Sequence, residues 1–176
     1  GYCNCGTVLA VGEGVSGFAE GLLVVNNGNH AEIVSVPRNL CARVPEGVAA
    51  DEAAFTVLAS VALQGIRLVE PTLGERFIVY GLGLVGLITV QLLRASGCDV
   101  LGVDIDRERL ALAESFGARV VDGARGGDSV ATARAWTDGQ GVDGVQITAS
   151  APGDQIVHES AEACRKRGRI VLVGVV

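Results

Sequence analysis

Three glycines, Gly81, Gly83 and Gly86, stand in the spacing Gly-x-Gly-x-x-Gly directly after the apolar run Phe77–Tyr80. In this spacing the first glycine permits a sharp turn, the second leaves room for a pyrophosphate, and the third lets helix and strand pack closely. A helix that begins at such a turn offers free N–H groups and a positive dipole end to phosphate oxygens. The pattern therefore predicts a dinucleotide-binding turn.

An acidic residue supports this interpretation. Asp104 follows Gly86 by 18 residues and closes a second strand-like run, Asp99–Val103. A carboxylate at this position can accept hydrogen bonds from both ribose hydroxyls and repels a 2′-phosphate, which favours NAD over NADP. The alternative is a glycine-rich turn in an α/β domain that binds no nucleotide, and it leaves unexplained why the acid stands about 20 residues on.

Strand-like and helix-like segments alternate from Phe77 to the end of the chain. This alternation predicts right-handed crossovers and a parallel, doubly wound α/β sheet. The predicted strands are 77–80, 99–104, 119–121, 143–148 and 169–173; the predicted helices are 84–96, 107–116, 128–137 and 153–167. The basic triplet Arg165–Arg167 is expected in the last turn of the last helix. Five strands are visible where a full dinucleotide-binding sheet has six, so we expect the chain to stop one strand short.

The first part of the chain has a different sequence pattern. Short strands predicted at 7–12, 22–25 and 31–36 are separated by glycine, asparagine and proline, which is typical of a small antiparallel barrel or sandwich. An apolar helix predicted at 53–68 connects the two parts, and Pro71 and Gly74 mark the entry to the second. We therefore expect part of a small barrel domain at 1–50, a bridging helix and linker at 51–75, and a cofactor domain at 76–176.

Composition limits the other classes of function. The chain has 176 residues, 49% of them hydrophobic, and a net charge of −6, which argues against disorder and against a nucleic-acid partner. Charges or glycines interrupt every apolar stretch, so no membrane segment is expected. Five scattered cysteines without a secretory signal favour free thiols and a cytoplasmic protein, and the spacing of Cys3 and Cys5 is poor for a metal site. The lack of any methionine suggests a piece of a longer chain.

Several motifs occur in one order along the chain, at the ends of the predicted barrel strands and around the glycine turn. They are Gly6–Val15, Gly17-Phe18, Ala31-Glu32, Val44-Pro45, Gly81–Gly86, Gly102–Ile105, Gly141–Asp143 and Val171–Gly174. In this order they resemble the medium-chain dehydrogenase/reductase superfamily, which includes zinc alcohol dehydrogenases and quinone reductases. The segments 29–41, 52–56 and 62–65 are most similar to the dehydrogenase half of bacterial bi-domain oxidoreductases. The resemblance implies a GroES-like barrel followed by a Rossmann domain, with the chain truncated at both ends.

The resemblance also implies which residues contact NAD(H). Arg109 falls where relatives place a cation near the adenosine ribose, although it could equally be a solvated helix residue. The full implied set is Gly81, Gly83 and Gly86 in the phosphate turn, Leu84 and Val85 at the helix start, Asp104 and Ile105 near the ribose, Arg109, then Thr148, Ala149 and Ser150 after the fourth strand, and Gly174 and Val175 after the fifth.

The same resemblance implies that the zinc-binding residues of these relatives are absent from this chain. Where zinc alcohol dehydrogenases carry Gly-His-Glu, this chain has Gly1-Tyr2-Cys3, and the segment 55–58, which matches a further ligand position, contains no ligand. The segment that would hold four structural cysteines is reduced to 26–30. No metal is therefore expected, and hydride transfer would need a side-chain acid or base. Tyr2 and His30 are candidates for that role, and each could instead be a packing or loop residue.

Three hypotheses about function follow. The first is an NAD(H)-dependent, zinc-independent oxidoreductase that acts on a small alcohol or carbonyl compound, including sugar-like ones. The second is a non-catalytic NAD-binding module or remnant of a larger dehydrogenase. The third, NADP-dependent quinone reduction, conflicts with Asp104. Related dehydrogenases often pair through the last strand of the sheet. Because that strand is expected to be missing, the oligomeric state stays open between a homodimer and part of a larger parent chain.

Overall fold

A computed structural model describes residues 1–174, and the chain forms two compact units, the first at Gly1–Ser60 and the second from Val61 onward. The first unit contains three strands, β1 (Asn4–Thr7), β2 (Leu23–Asn26) and β3 (Cys41–Arg43), in an antiparallel sheet of order β1-β2-β3. Helix α1 (Ala50–Ala53) follows, and α2 (Thr56–Val69) begins in the first unit and ends in the second. The single helix predicted at 53–68 is therefore wrong in its start, because the helical segment is divided at residues 54–55.

Two strand predictions in the first unit are wrong. The strand expected at 7–12 is instead β1, which ends at Thr7. Beyond it only Val8 continues the hairpin: its N–H donates to Leu22, and its carbonyl accepts the N–H of Gly21. The segment 31–36 forms no strand, because β2 already pairs with β1 on one side and with β3 on the other. Strand β3 was missed because its three residues, one of them a cation, show no apolar alternation.

The second unit is the expected parallel sheet, in the order β6-β5-β4-β7-β8. Chain order reverses between β4 and β7, and the carboxyl ends of strands at such a point form the crevice where open α/β sheets bind ligands. The strands are β4 (Arg76–Tyr80), β5 (Asp99–Asp104), β6 (Arg119–Asp122), β7 (Val142–Ile147) and β8 (Cys164–Leu172); the helices are α3 (Leu84–Ala95), α4 (Arg107–Ser115), α5 (Ser129–Trp136) and α6 (Gln155–Ala163).

Apolar side chains cover both faces of this sheet. In β4, Phe77 and Val79 belong to a core formed with α2, α3 and α4, whereas Ile78 and Tyr80 belong to the core formed with α5 and α6. A strand buried on both faces reads as a continuous apolar run, which is why β4 could be located from sequence. Each fully buried large side chain contributes about 1.5–3 kcal/mol, so the two cores hold the carboxyl end of β4 firmly at the centre of the sheet.

The basic triplet is not helical, contrary to the prediction. Helix α6 ends before it, and Arg165–Arg167 lie in β8, in a bulge opposite Asp143 where Arg167 takes a φ of 65°. Arg165 Nε donates to Asp143 Oδ1 at 2.7 Å, and Arg169 pairs with Glu75. Burial opposes ionisation of Glu75, but hydrogen bonds from Arg169 and from a backbone N–H hold its pKa below the ordinary value. Arg165 of the triplet is therefore engaged by an ion pair near the amino ends of the strands rather than by a helix dipole.

Candidate functional site

The glycine turn joins β4 to α3, and its three glycines are needed for different reasons. Gly81 has a φ of 86°, and a Cβ there would lie 2.6 Å from the Cα of Ala149. A Cβ on Gly86 would collide with the carbonyl oxygen of Gly81. By contrast, a Cβ on Gly83 would meet no atom within 4 Å. Protein packing therefore explains the first and third glycines, whereas the second borders open space.

The start of α3 offers donors to that space. Gly83 is the N-cap residue, and no side chain caps the helix there. The first N–H groups of a helix have no partner within it, so an uncapped start leaves them for water or an anion. Leu84, the first helical residue, is 57% exposed. The turn thus has the geometry of an anion-binding helix terminus.

Asp104, at the end of β5, is buried and tied to the turn. Its Oδ2 accepts the N–H of Leu82 at 2.6 Å, and its Oδ1 accepts the N–H groups of Ile105 and Asp106 at 2.7 and 2.9 Å. A carboxylate has about four acceptor positions, so three backbone donors leave room for one more. Arg109 Nη1 lies 3.9 Å from Oδ2, while Arg109 Nε lies 3.7 Å from Asp106. The side chain of Ile105 is 73% exposed.

The residues that follow β7 support the turn from the other side. Thr148 Oγ1 donates to the carbonyl oxygens of Gly81 and Tyr80 at 2.6 and 3.0 Å, and the N–H of Ala149 also binds Tyr80. Ser150 is exposed. The N–H of Gly174 donates to the carbonyl of Ile147 at 2.8 Å, which places it beside this loop. Val175 lies outside the described residues. The hydroxyl of Thr148 therefore faces the backbone of the turn.

A chain of polar side chains behind the turn, buried at Tyr80 and Ser129 and half-buried at Glu159, was not anticipated from the sequence. Tyr80 Oη lies 2.9 Å from Ser129 Oγ, which donates to Glu159 Oε2 at 3.0 Å. Burial raises the pKa of Tyr80 to about 12, an increase that the hydrogen bond to Ser129 only partly offsets. A hydroxyl at the end of the otherwise apolar run 77–80 is the signal that could have identified it. Tyr80 thereby links the last residue of β4 to α5 and α6.

The two catalytic candidates lie in the first unit. Tyr2 is 56% exposed. His30 is adjacent to the first residues of the chain: its N–H donates to the carbonyl of Gly1 at 3.2 Å, and its Nε2 lies 3.4 Å from Cys3 Sγ. The same unit contains a cleft of about 530 Å³ whose lining includes Cys5, Val24, Asn26 and Cys41.

The described part of the chain contains no group of side chains that could bind zinc. Within residues 1–174, no three histidine, cysteine, aspartate or glutamate side chains are grouped so that they could hold a metal ion. In the same residues, no helix is long and apolar enough to cross a membrane. The five cysteines are free thiols.

Comparison with known proteins places this geometry among dehydrogenases. A family profile described as zinc-binding dehydrogenase matches residues 85–176. The (R,R)-butanediol dehydrogenase of Bacillus subtilis (strain 168) is 27% identical over 99% of this chain. The structure of the alcohol dehydrogenase TADH from Thermus sp. ATN1 is 26% identical over 98% of the chain, with a TM-score of 0.90. A mycobacterial protein solved in complex with NADPH is 30% identical over 99% of it, with a TM-score of 0.85.

These similar proteins are longer than this chain. The alignment covers 58% of the butanediol dehydrogenase, 60% of the Thermus enzyme and 56% of the mycobacterial protein. The chain therefore spans little more than half the length of these relatives.

Proposed function

Because the chain belongs to the zinc-binding dehydrogenase family, one of the zinc-type, alcohol dehydrogenase-like families of medium-chain dehydrogenase/reductases, we propose that it binds NAD(H) at the turn Gly81–Gly86 and acts as an oxidoreductase. The observation that carries the proposal is the open space at Gly83, at the uncapped start of α3. Packing does not require glycine there, whereas close approach of a pyrophosphate does.

Each part of the site has a proposed role. The backbone at Gly83 admits the pyrophosphate, and the N–H groups of Leu84 and Val85 bind its oxygens. The remaining acceptor position of Asp104 binds a ribose hydroxyl, and its negative charge disfavours a 2′-phosphate. We therefore propose NAD(H), although one similar protein was solved with NADPH. Arg109 is proposed to lie near the adenosine ribose, and the backbone after β7 and β8 to line the cofactor.

When bound, NAD(H) supplies hydride transfer, and the chain supplies position and polarity. The similarity to a butanediol dehydrogenase and an alcohol dehydrogenase supports a small alcohol or carbonyl compound as substrate. A sugar-like substrate is the narrower proposal, from the resemblance to bi-domain oxidoreductases. His30 and Tyr2 remain the proposed acid or base.

We propose that the reaction does not use zinc, because the residues at the expected ligand positions do not fit the metal. Tyr2 stands where zinc-type relatives carry a histidine, and an uncharged phenol is a poor zinc ligand. Phe55 and the three residues after it offer no thiolate, imidazole or carboxylate. No step of the reaction is therefore assigned to a metal.

Fluorescence titration tests the cofactor proposal directly. Trp136 is the only tryptophan, so energy transfer from it to bound dihydronicotinamide reports occupancy. We expect saturable NADH binding, weaker binding of NADPH, and less than stoichiometric zinc by elemental analysis. Lack of NADH binding, or tight stoichiometric zinc, would overturn the corresponding part of the proposal.

A second candidate is an NAD-binding module without turnover, favoured by the poor fit of the zinc-ligand positions. Assays over a panel of alcohols and aldehydes with NAD or NADH separate the two: turnover excludes the module, and saturable binding without turnover supports it.

We also propose self-association through the edge strand β8, where Ile170 and Leu172 are exposed. Light scattering measures it directly.

A further inference from the structure

Cys3 and His30 form a thiol–imidazole pair in the first unit, and neither residue is among those proposed to bind NAD(H). Cys3 Sγ lies 3.4 Å from His30 Nε2, within hydrogen-bond distance for sulfur. Two reactive side chains that are 27 positions apart in sequence thus meet at the surface. Nothing in the proposed binding of NAD(H) uses this contact.

Neighbouring backbone contacts hold the pair together. The N–H of His30 donates to the carbonyl of Gly1 at 3.2 Å. The side-chain amide of Asn4 donates to the carbonyls of Gly28 and Asn29 at 2.6 and 2.7 Å, so the residue after Cys3 is clamped to the two residues before His30. These hydrogen bonds hold the backbone around Cys3 next to the backbone around His30, which keeps the two side chains within reach of each other.

The other four thiols lie in different surroundings. Burial raises the pKa of Cys5, Cys41, Cys98 and Cys164. Cys98 is fully buried, and its thiol donates to the carbonyl of Thr72. None of these four has an imidazole within hydrogen-bond distance among residues 1–174. Because thiolate is the attacking form of cysteine, an adjacent base favours reaction at Cys3.

We propose that Cys3 is a modification site for hydroperoxides, with His30 as its base. With the ring proton on Nδ1, Nε2 accepts the thiol proton as sulfur attacks one peroxide oxygen. The S–O bond forms, the O–O bond breaks, and the leaving hydroxide or alkoxide takes the proton from His30 to give water or alcohol. Sulfur is oxidised to a sulfenic acid, and the peroxide is reduced.

Mass-spectrometric mapping on the purified chain tests the assignment. The protein is treated with hydrogen peroxide at neutral pH in the presence of dimedone, which traps sulfenic acid, and separately with limiting iodoacetamide. Cys3 is expected to react about tenfold faster than Cys41 with both reagents, and His30→Gln is expected to remove most of this advantage. Cys5→Ser, two residues along the same segment, should leave the rate at Cys3 unchanged.

Equal rates at Cys3 and Cys41, preferential labelling of another cysteine, or an unchanged rate in His30→Gln would overturn the proposal. Protection of Cys3 by one equivalent of Zn²⁺ already present in the purified protein would instead assign the pair to metal binding, which also overturns it. Circular dichroism and Trp136 fluorescence establish that His30→Gln is folded. NADH titration of the same samples keeps the outcome separate from the proposed function.

Discussion

Leu82 and Asp104 are joined by a hydrogen bond of 2.6 Å from the Leu82 N–H to Oδ2 of the carboxylate, which ties the glycine turn to the end of β5. The same carboxylate accepts two further N–H groups through Oδ1. Asp104 is thus needed to shape the turn before any nucleotide binds. The residue proposed to select NAD is also part of the local fold, and the two roles can be separated by measurement.

Asp104→Asn is expected to destabilise the protein even without cofactor. Both oxygens accept backbone N–H groups, so either orientation of the new amide points its NH₂ at a donor. An unsatisfied buried donor costs about 1–3 kcal/mol, which urea unfolding of the cofactor-free protein measures. Asp106→Asn is the matched control, because Asn caps a helix about as well as Asp. Equal stability of the two variants would contradict a structural role for Asp104.

Gly83→Ala is expected to weaken nucleotide binding without harming the fold. The added methyl group meets no protein atom within 4 Å, and φ at this position is −66°. Alanine is a poorer N-cap than glycine, so urea stability should fall by about 1 kcal/mol at most, whereas NADH affinity should fall about tenfold or more, equivalent to about 1.4 kcal/mol.

Two other glycines serve as controls for that variant. Gly81→Ala should lower stability, because it places a side chain at a φ of 86° against Ala149. Gly12→Ala, in the first unit, should change neither quantity, since φ there is not positive and the nearest atom is 3.9 Å away. Unaltered NADH affinity in a folded Gly83→Ala protein would remove the main support for the proposed function.

The sequence predicted the second unit well because its signals are local. The run 77–80 is apolar since both faces of β4 are buried, and the three glycines are recognised by their spacing within six residues, although the contact that requires Gly81 is with the distant Ala149. The first unit was predicted less well, because strand pairing there depends on distant partners. A short run set off by glycine, asparagine and proline predicted a strand at 31–36, but β3 occupies the edge of β2 that this strand would need. The Cys3–His30 contact, across 27 residues, has no local signal either.

Tyr80 is expected to make the protein sensitive to alkali. Its folded-state pKa of about 12 exceeds the ordinary value of 10.0, so the folded protein retains a proton that the unfolded chain releases. The stability contributed by this group is fully present below pH 10 and is lost as pH rises from 10 towards 12. Tyr80→Phe should flatten that part of the stability profile, measured by urea unfolding from pH 8 to about pH 11.

The same variant should lose about 1 kcal/mol at neutral pH, the typical net value of one hydrogen bond. Ser129→Ala breaks the same contact but keeps the buried phenol, so the alkaline decline should persist. If Tyr80→Phe and the unmodified protein declined in parallel above pH 10, another group would be responsible.

Gln146 has a buried amide that the fold does not satisfy. Its side chain is fully buried in β7, and neither its nitrogen nor its oxygen has a hydrogen-bond partner among residues 1–174. A Cβ on Gly65 of α2 would lie 2.5 Å from Oε1, so the amide fits closely against the helix. An unpaired buried polar group costs about 1–3 kcal/mol, and replacing it with an apolar group of similar shape recovers that free energy.

Gln146→Met is therefore expected to raise the free energy of unfolding by about 1–3 kcal/mol, because methionine has the same chain length and no polar group to satisfy. Gln140→Met, at an exposed position, controls for a general effect of added hydrophobicity and should change stability by less than about 0.5 kcal/mol. Chemical denaturation with matched m-values gives both numbers. A fall in stability for Gln146→Met would mean that the amide is hydrogen-bonded in solution. Gln146 would then position α2 against the sheet instead of lowering the free energy of unfolding.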